Sequence, residues 1–206
     1  MGSLERFLLA PIIEHYGARA FVETGTGEGK GVRYAQTHPF NEIYSVEILA
    51  QQVEKLKPTF GDDPRVHLHA GESAAFLAQI LPRIKTNAVF WLDAHYPGAN
   101  FNQATYDQVQ DLDVRLPLER ELQVIHDLRR GFSDVILIDD LRIYEKDNFG
   151  NGNLDDLGVA SIAKYDSSFL YTIFKQTHDC KRFLEEEGYF VLFPKSTTAG
   201  QSTGGG

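Results

Sequence analysis

Cysteine is almost absent from this sequence, because Cys180 is the only one among 206 residues. A single cysteine excludes an internal disulfide framework and a cysteine metal cluster. A chain of this length can bury a full hydrophobic core without such staples. The cysteine count suits a reducing compartment, and we expect the protein to be cytoplasmic.

Long apolar runs are also missing, since no stretch approaches the roughly 20 apolar residues that a membrane-spanning helix needs. The apolar run at 7–13 follows Glu5 and Arg6, contains Pro11 and has no small-residue cleavage site. We therefore expect that this segment is not a secretory signal peptide. Arg6 also stands where a myristoylation motif requires Ser or Thr. We therefore expect no membrane partner.

Basic residues are scarce relative to acidic ones, with 20 Lys and Arg against 29 Asp and Glu and a formal net charge of −9. The sequence has no basic stripe that could bind a phosphate backbone, so we expect no nucleic-acid partner. A neutral or cationic small molecule fits this charge better. The sequence leaves a homo-oligomer open.

The residues that are present describe an ordinary globular protein, with 42% apolar and 24% charged residues. This length predicts one domain, which we place at 1–195. The remaining segment, 196–206, consists mostly of Ser, Thr, Ala, Gly and Gln. We expect it to be a disordered low-complexity tail.

The hydrophobic pattern alternates between two kinds of segment. Short apolar runs predict strands at 20–23, 43–46, 65–69, 88–92 and 135–138, with two more near 170–175 and 189–193. Amphipathic segments predict helices near 4–16, 29–37, 49–60, 73–84, 118–128 and 157–165. This alternation predicts an α/β fold with a parallel sheet covered on both faces. Such sheets bind ligands at the carboxyl ends of their strands, and polar or unusual residues follow each of the first five strands.

A glycine-rich turn follows the first predicted strand, with glycine at positions 25, 27, 29 and 31. Glycine allows the backbone to turn tightly and to approach a ligand closely. The dinucleotide fingerprint fails here, because Lys30 stands at the third glycine position counted from Gly25 and Val32 stands there counted from Gly27. A phosphate-binding Walker loop fails too, because Gly31 follows Lys30. A glycine-rich loop without a ligand remains an alternative.

The turn instead resembles the E/D-x-G-x-G-x-G motif of class I S-adenosylmethionine-dependent methyltransferases. The resemblance implies a Rossmann-like fold with a mostly parallel seven-stranded sheet and an antiparallel last strand. It also implies that Gly25 and Gly27 pass beneath the amino acid part of the cofactor, with Glu23 near its amino group. The cofactor contacts that we predict from this turn are Glu23, Thr24, Gly25, Thr26, Gly27 and Gly29.

Acidic residues follow the second and third strands. Glu47 ends the second strand roughly 20 residues after the glycines, where a carboxylate can accept hydrogen bonds from both ribose hydroxyls. It could instead be an exposed acid that starts the next helix. In methyltransferases, the position at the end of the third strand meets the adenine ring, which implies that role for Glu72 or Ser73. Ser73 could equally be a helix N-cap.

Three aspartates follow the fourth and fifth strands, which should be neighbours in the sheet. Asp93 follows the fourth, and Asp139 and Asp140 follow the fifth. Three carboxylates packed together without a cation would repel one another or take up protons. Oxygen ligands suit a hard ion such as Mg²⁺. The alternative is that these acids merely cap helices.

This pattern is similar to that of the divalent-metal O-methyltransferases that act on catechols and sugars. The resemblance implies that Asp93, Asp139 and Asp140 are the metal ligands, and we also count Asp93 among the cofactor contacts. Asp140 departs from the Asn of catechol enzymes. The segment from Asp93 through His95 to Tyr96 also resembles a D-x-H-x-Y-like segment of sugar and antibiotic O-methyltransferases, with the tyrosine one place early.

His95 is the candidate catalytic base, acting beside Asp93. A metal that binds an alcohol lowers its pKa, and a nearby base then takes the proton as the oxygen attacks the methyl group of the cofactor. A ligand role or a structural role for His95 stays open.

The sequence therefore predicts S-adenosylmethionine-dependent, Mg²⁺-assisted O-methylation of a small hydroxylated acceptor, either a sugar or a secondary metabolite. The segment 96–117 is long and contains Phe101, Tyr106 and Arg115, which could cover an acceptor together with Arg142. Three alternatives remain: a metal-independent methyltransferase, an NAD-binding oxidoreductase or epimerase, and a catalytically silent cofactor-binding module.

Overall fold

The computed structural model describes residues 3–95 and 115–196. Its seven strands form one sheet and, in chain order, are β1 Ala20–Thr24, β2 Glu42–Glu47, β3 Val66–Ala70, β4 Ala88–Leu92, β5 Val135–Ile138, β6 His178–Phe183 and β7 Tyr189–Pro194. The helices are α1 Leu9–Tyr16, α2 Lys30–Gln36, α3 Ala50–Phe60, α4 Ser73–Ile80, α5 Leu118–Leu128 and α6 Ser168–Thr172. Short 3₁₀ turns lie at Leu4–Arg6, Leu141–Ile143 and Ala160–Ile162.

The strand order is β3-β2-β1-β4-β5-β7-β6. Strands β1 to β5 pair in parallel, and β7 runs antiparallel to both β5 and β6. The prediction of a mostly parallel seven-stranded sheet with an antiparallel last strand is therefore confirmed. The chain order reverses direction between β1 and β4, and ligands bind to doubly wound sheets at such a switch point.

Apolar residues cover both faces of the sheet, which confirms helices on both sides. Phe21, Val89 and Leu137 pack on one face with α1, α2 and α3. Val22 and Phe90 point to the other face and pack with α4, α5 and α6. Every residue of β1, β4 and β5 is buried, which explains why β4, β5 and the first three residues of β1 are continuous apolar runs rather than alternating ones.

The predicted strand near 170–175 is wrong. The first half of this segment lies in α6 and the rest in a turn, and the sixth strand follows at His178–Phe183. The aromatic and β-branched residues that suggested a strand are spaced for a helix, since Leu170 and Phe174 are both buried four residues apart. Strand β6 is polar and mostly exposed, so its pairing with β7, rather than an apolar pattern, defines it.

The helix predicted near 157–165 is also wrong, because only the 3₁₀ turn Ala160–Ile162 forms there. Gly158 and Tyr165 both have left-handed backbone conformations, with φ of 74° and 47°, and such residues interrupt an α-helix. Most of the tail predicted from 196 lies outside the described residues. No helix within the described ranges combines the length and the apolar character needed to cross a bilayer.

Candidate active site

The carboxyl ends of β1, β4 and β5 lie side by side, and the hydrogen bonding between these strands continues past their last residues. The Asp93 N–H donates to the Thr24 carbonyl oxygen at 3.0 Å, and the Asp139 N–H donates to the Leu92 carbonyl oxygen at 3.1 Å. The sheet itself therefore fixes the backbone of both aspartates. It places them directly beside the glycine turn that follows β1.

The glycine turn has the conformation that its sequence requires. Gly25, Gly27 and Gly29 have φ values of 84°, 52° and 76°, a region that residues with a Cβ atom rarely adopt. At Gly25 a second constraint applies, because an added Cβ atom would overlap the backbone carbonyl oxygen of Asp93. The backbone of the turn therefore lies directly against the backbone at the end of β4.

Glu23, the last residue but one of β1, is buried beneath this turn. Its carboxyl group accepts a hydrogen bond of 2.5 Å from the Ser45 hydroxyl, and the Ser45 and Thr26 hydroxyls are 2.6 Å apart. Burial raises the pKa of Glu23 to about 8, an effect that the Ser45 hydrogen bond opposes. A Cβ atom at Gly31 would overlap the Glu23 carboxyl group. A cationic group of a ligand placed here would stabilise the ionised form.

Glu47 connects β2 to the glycine turn. One of its carboxylate oxygens accepts a hydrogen bond from the Gly27 N–H at 2.9 Å, and the other accepts one from the Leu49 N–H at 3.1 Å. These bonds hold the carboxylate in place, and Glu47 lines the cleft. Glu47 is only 7% exposed. It is therefore not the exposed acid at a helix start that the sequence left as an alternative.

The end of β3 completes this side of the site. Helix α4 begins at Ser73, and its N-cap is Glu72, which makes no side-chain capping hydrogen bond. Ser73 is therefore not the N-cap. It is nearly buried, and its neighbours Gly71 and Glu72 line the same cleft as Ser73 does.

On the other side of the glycine turn, Asp93, His95 and Asp140 each present a ligand atom within 4.8 Å of the others. The His95 Nδ1 atom lies 3.4 Å from an Asp140 oxygen and 3.7 Å from an Asp93 oxygen. Asp140 adopts a left-handed backbone conformation with φ of 53°, which turns its side chain toward the cleft rather than along the strand. This group of three differs from the predicted ligand set by including His95 in place of Asp139.

Asp139 is the most buried of the three aspartates and is 4% exposed. One carboxylate oxygen accepts the Asp140 N–H at 2.8 Å, and the other has no hydrogen-bond partner among the described residues. Burial, followed by the charge of Asp140, raises the pKa of Asp139 well above its usual range. Asp139 thus supports the loop that carries Asp140, and it retains one buried oxygen that a cation could satisfy.

The charges of this cluster are poorly balanced. Burial and then the charges of Asp139 and Asp140 raise the pKa of Asp93 well above its usual range. Besides His95, the Arg142 guanidinium approaches the cluster, with one nitrogen 3.9 Å from an Asp140 oxygen and another 3.6 Å from an oxygen of the buried Glu187. A divalent cation would lower the energy of this arrangement, and the oxygen-rich donor set fits a hard ion.

A single cleft of about 850 Å³ contains both halves of the site. It is lined by most of the predicted residues, namely Glu23, Gly25, Thr26, Gly27, Glu47, Glu72, Ser73, Asp93, His95 and Asp140. Thr24, Gly29 and Asp139 are not among the residues that line the cleft. Among the residues predicted to cover an acceptor, Arg142 lines the cleft. Phe101 and Tyr106 lie outside the described residues.

Several residues at the site were not predicted from the sequence. Trp91 and Glu187 line the cleft, but the first lies within an apolar strand and the second within a run of three glutamates. Glu121 is completely buried on α5 behind the cleft, although it stands in a helix rich in exposed charges. No local pattern distinguishes these residues from structural ones.

No family model matches the sequence, and no curated protein matches it. Solved structures do match. A Staphylococcus aureus protein assigned as a caffeoyl-CoA O-methyltransferase has a TM-score of 0.62 at 12% identity, over 95% of this chain and 85% of the other. The S-adenosylhomocysteine-bound methyltransferase PaMTH1 of Podospora anserina also has a TM-score of 0.62, at 14% identity, over 95% of this chain and 80% of its own.

A protein from Clostridium thermocellum assigned as an rRNA methylase has a TM-score of 0.58 at 10% identity, over 95% of this chain and 98% of its own. At such low identities the similarity concerns the fold. The structure therefore has the class I methyltransferase fold that the glycine motif implied.

Proposed function

We propose that this protein transfers the methyl group of S-adenosylmethionine to a hydroxyl oxygen of a small acceptor, with the assistance of a divalent cation such as Mg²⁺. The observation that carries the proposal is that the glycine turn with Glu47 and the cluster of Asp93, His95 and Asp140 line one cleft. Methyl transfer needs this proximity, because the acceptor oxygen must approach the methyl carbon to roughly 3 Å.

The cofactor half of the cleft offers complementary groups to each part of S-adenosylmethionine. Glu47 would accept hydrogen bonds from the ribose hydroxyls, and Glu72 and Ser73, which line the same cleft, would contact the adenine. Glu23 and the turn at Gly25 and Gly27 would hold the methionine part. The acidic surroundings also favour the positive sulfonium group.

The acid cluster would act on the acceptor. Asp93 and Asp140 would hold the cation, with either His95 or Asp139 as a further ligand. When bound, a divalent cation lowers the pKa of an acceptor hydroxyl and orients it. The oxygen attacks the methyl carbon, the carbon–sulfur bond breaks, and S-adenosylhomocysteine and a proton are released. If His95 is not a ligand, its imidazole would accept that proton, since it lies at the edge of the same cluster.

The acceptor is proposed to be a small hydroxylated molecule, either a sugar or a secondary metabolite. This rests on the enclosed volume of the cleft and on a lining that mixes polar groups with the apolar side chains of Ile143, Leu154 and Ile162.

An NAD-dependent oxidoreductase is less well supported. The common dinucleotide-binding sheet has the order 3-2-1-4-5-6, whereas here the reversed strand β7 lies between β5 and β6. The third glycine of the dinucleotide fingerprint is also replaced by Lys30.

Two measurements test the proposal. Calorimetry should detect binding of S-adenosylhomocysteine and no binding of NAD⁺. Tritium transfer from labelled S-adenosylmethionine should then be measured on a panel of catechols, flavonoids and sugars, with EDTA or with added Mg²⁺. Lack of S-adenosylhomocysteine binding would refute the function. If EDTA does not affect methyl transfer, the proposed role of a divalent cation is refuted and a metal-independent methyltransferase remains.

A further inference from the structure

Helix α5 carries a buried carboxyl group that the proposed chemistry does not use. Glu121 is 0% exposed, and neither of its carboxylate oxygens makes a hydrogen bond of normal geometry with the described residues. Burying a carboxylate in this way costs several kcal/mol unless it is compensated. An apolar residue of similar size at this position would usually be as stable or more so. Packing alone therefore does not explain the glutamate.

The groups that face Glu121 come from the two elements that form the wall of the cleft. They are the hydroxyl of Thr24 at the end of β1 and the hydroxyl of Ser73 at the start of α4. The Thr24 hydroxyl also lacks a hydrogen-bond partner in the described part of the chain. Helix α5 packs against α4, so the Glu121 side chain is held between Ser73 and Thr24.

We propose that Glu121 is a positioning residue for the cofactor: its carboxyl group orients the hydroxyl of Ser73, and through Ser73 it shapes the wall that meets the nucleoside. This inference rests on the proposed function, because it takes the nucleoside of S-adenosylmethionine as the occupant. An ionised Glu121 would accept hydrogen bonds from the hydroxyl groups of Ser73 and Thr24. The Ser73 oxygen is then free to accept a hydrogen bond from the ligand, as the exocyclic amino group of adenine would require.

The protonation of Glu121 should then influence binding near neutral pH. Burial raises the pKa of Glu121 to about 7, and the nearby hydroxyls of Ser73 and Thr24, which favour the ionised form, oppose that rise. A protonated Glu121 would donate to the Ser73 oxygen and compete with the ligand. Binding should therefore tighten as pH rises from 6 to 8, in addition to any effect of Glu23.

A double-mutant cycle on S-adenosylhomocysteine binding tests the proposal at pH 8. Glu121→Met and Ser73→Ala should each weaken binding by about tenfold, and the double variant should bind about as well as the weaker single variant, because contacting residues are not additive. Glu119→Met is the matched control on the same helix. Its side chain is 53% exposed, and its affinity should not change.

Additive effects, or an unchanged affinity of Glu121→Met, would overturn the positioning role. Glu121→Gln provides a second test that does not depend on tolerance of methionine. Its affinity should change less than that of the wild type between pH 6 and 8, and an identical pH profile would also overturn the proposal. If the wild type itself fails to bind S-adenosylhomocysteine, the proposed function fails instead.

Discussion

Gly25 lies against the backbone carbonyl of Asp93 so closely that the space between them cannot hold a methyl group. This contact joins the glycine turn after β1 to the first residue of the acid cluster after β4. The backbone of the glycine turn and the backbone that carries the acid cluster therefore pack directly against each other. A change in either half should be transmitted to the other.

The first prediction concerns this contact. Gly25→Ala should lower the stability by more than the roughly 1–2 kcal/mol that a left-handed alanine costs, because the new methyl group also displaces Asp93. It should abolish detectable S-adenosylhomocysteine binding. Gly131→Ala is the control, because Gly131 has φ of 91° and its added Cβ would meet no described atom within 4 Å. Stability is measured by urea unfolding. Equal losses in the two variants would contradict the close contact between Gly25 and the Asp93 carbonyl group.

The second prediction concerns Glu47. Glu47→Gln removes the negative charge that accepts the Gly27 and Leu49 N–H groups and, as proposed, the ribose hydroxyls. Hydrogen bonds to a charged group contribute about 1.5–3 kcal/mol, so S-adenosylhomocysteine affinity should fall at least about tenfold by calorimetry, while Mn²⁺ affinity stays unchanged. Glu42→Gln, at the opposite end of β2, should bind as the wild type does. Unchanged affinity in Glu47→Gln would remove this residue from the site.

The third prediction concerns the cation. Asp140→Asn should weaken Mn²⁺ binding at least about tenfold, a loss that even residues supporting a ligand typically cause. Paramagnetic resonance of bound Mn²⁺ in His95→Gln and in Asp139→Asn then shows whether His95 or Asp139 is the third ligand. A greater loss in His95→Gln favours the group that the structure brings together. A greater loss in Asp139→Asn favours the set predicted from the sequence.

A further variant at Asp139 separates metal chemistry from cofactor binding. Asp139→Ala should abolish metal-dependent activity, with S-adenosylmethionine affinity within a few-fold of the wild type. A collapse of cofactor affinity without any effect of metal would show that the cluster does not hold a cation.

The fourth prediction concerns pH. Burial raises the pKa of Glu23 from 4.5 to about 8, so between these values the folded protein binds a proton that the unfolded chain has released. The contribution of Glu23 to stability is therefore fully present below pH 4.5 and is lost as pH rises toward 8. One such proton changes the free energy of unfolding by up to about 1.4 kcal/mol per pH unit.

Urea unfolding of the wild type and Glu23→Gln between pH 5 and 8.5 measures this effect. The wild type should lose more stability than the variant over this range, because glutamine does not titrate. Asp139 and Glu121 titrate in both proteins, so the difference between the two curves reports Glu23 together with its influence on Asp93, whose pKa the Glu23 charge raises. Parallel curves would contradict the raised pKa.

Much of the fold was predictable because it depends on patterns that are local in sequence. The short apolar runs of β4, β5 and the start of β1 are typical of strands buried on both faces, and the glycine turn follows β1 where its motif requires it. Strand β6 was not predictable, because its polar residues form a strand only by pairing with β7. Leu170 and Phe174 were misassigned because a short aromatic segment fits either period.

The sequence by itself determined which residues follow each strand, and the parallel order then brought Glu47, Asp93 and Asp140 to one edge of the sheet. Only the tertiary structure decided how their side chains group. It turned Asp140 toward His95 through a left-handed backbone, buried Asp139 beneath them, and held Glu121 between Ser73 and Thr24. These relationships join residues far apart in the chain, and they depend on side-chain direction and burial, which no local pattern encodes.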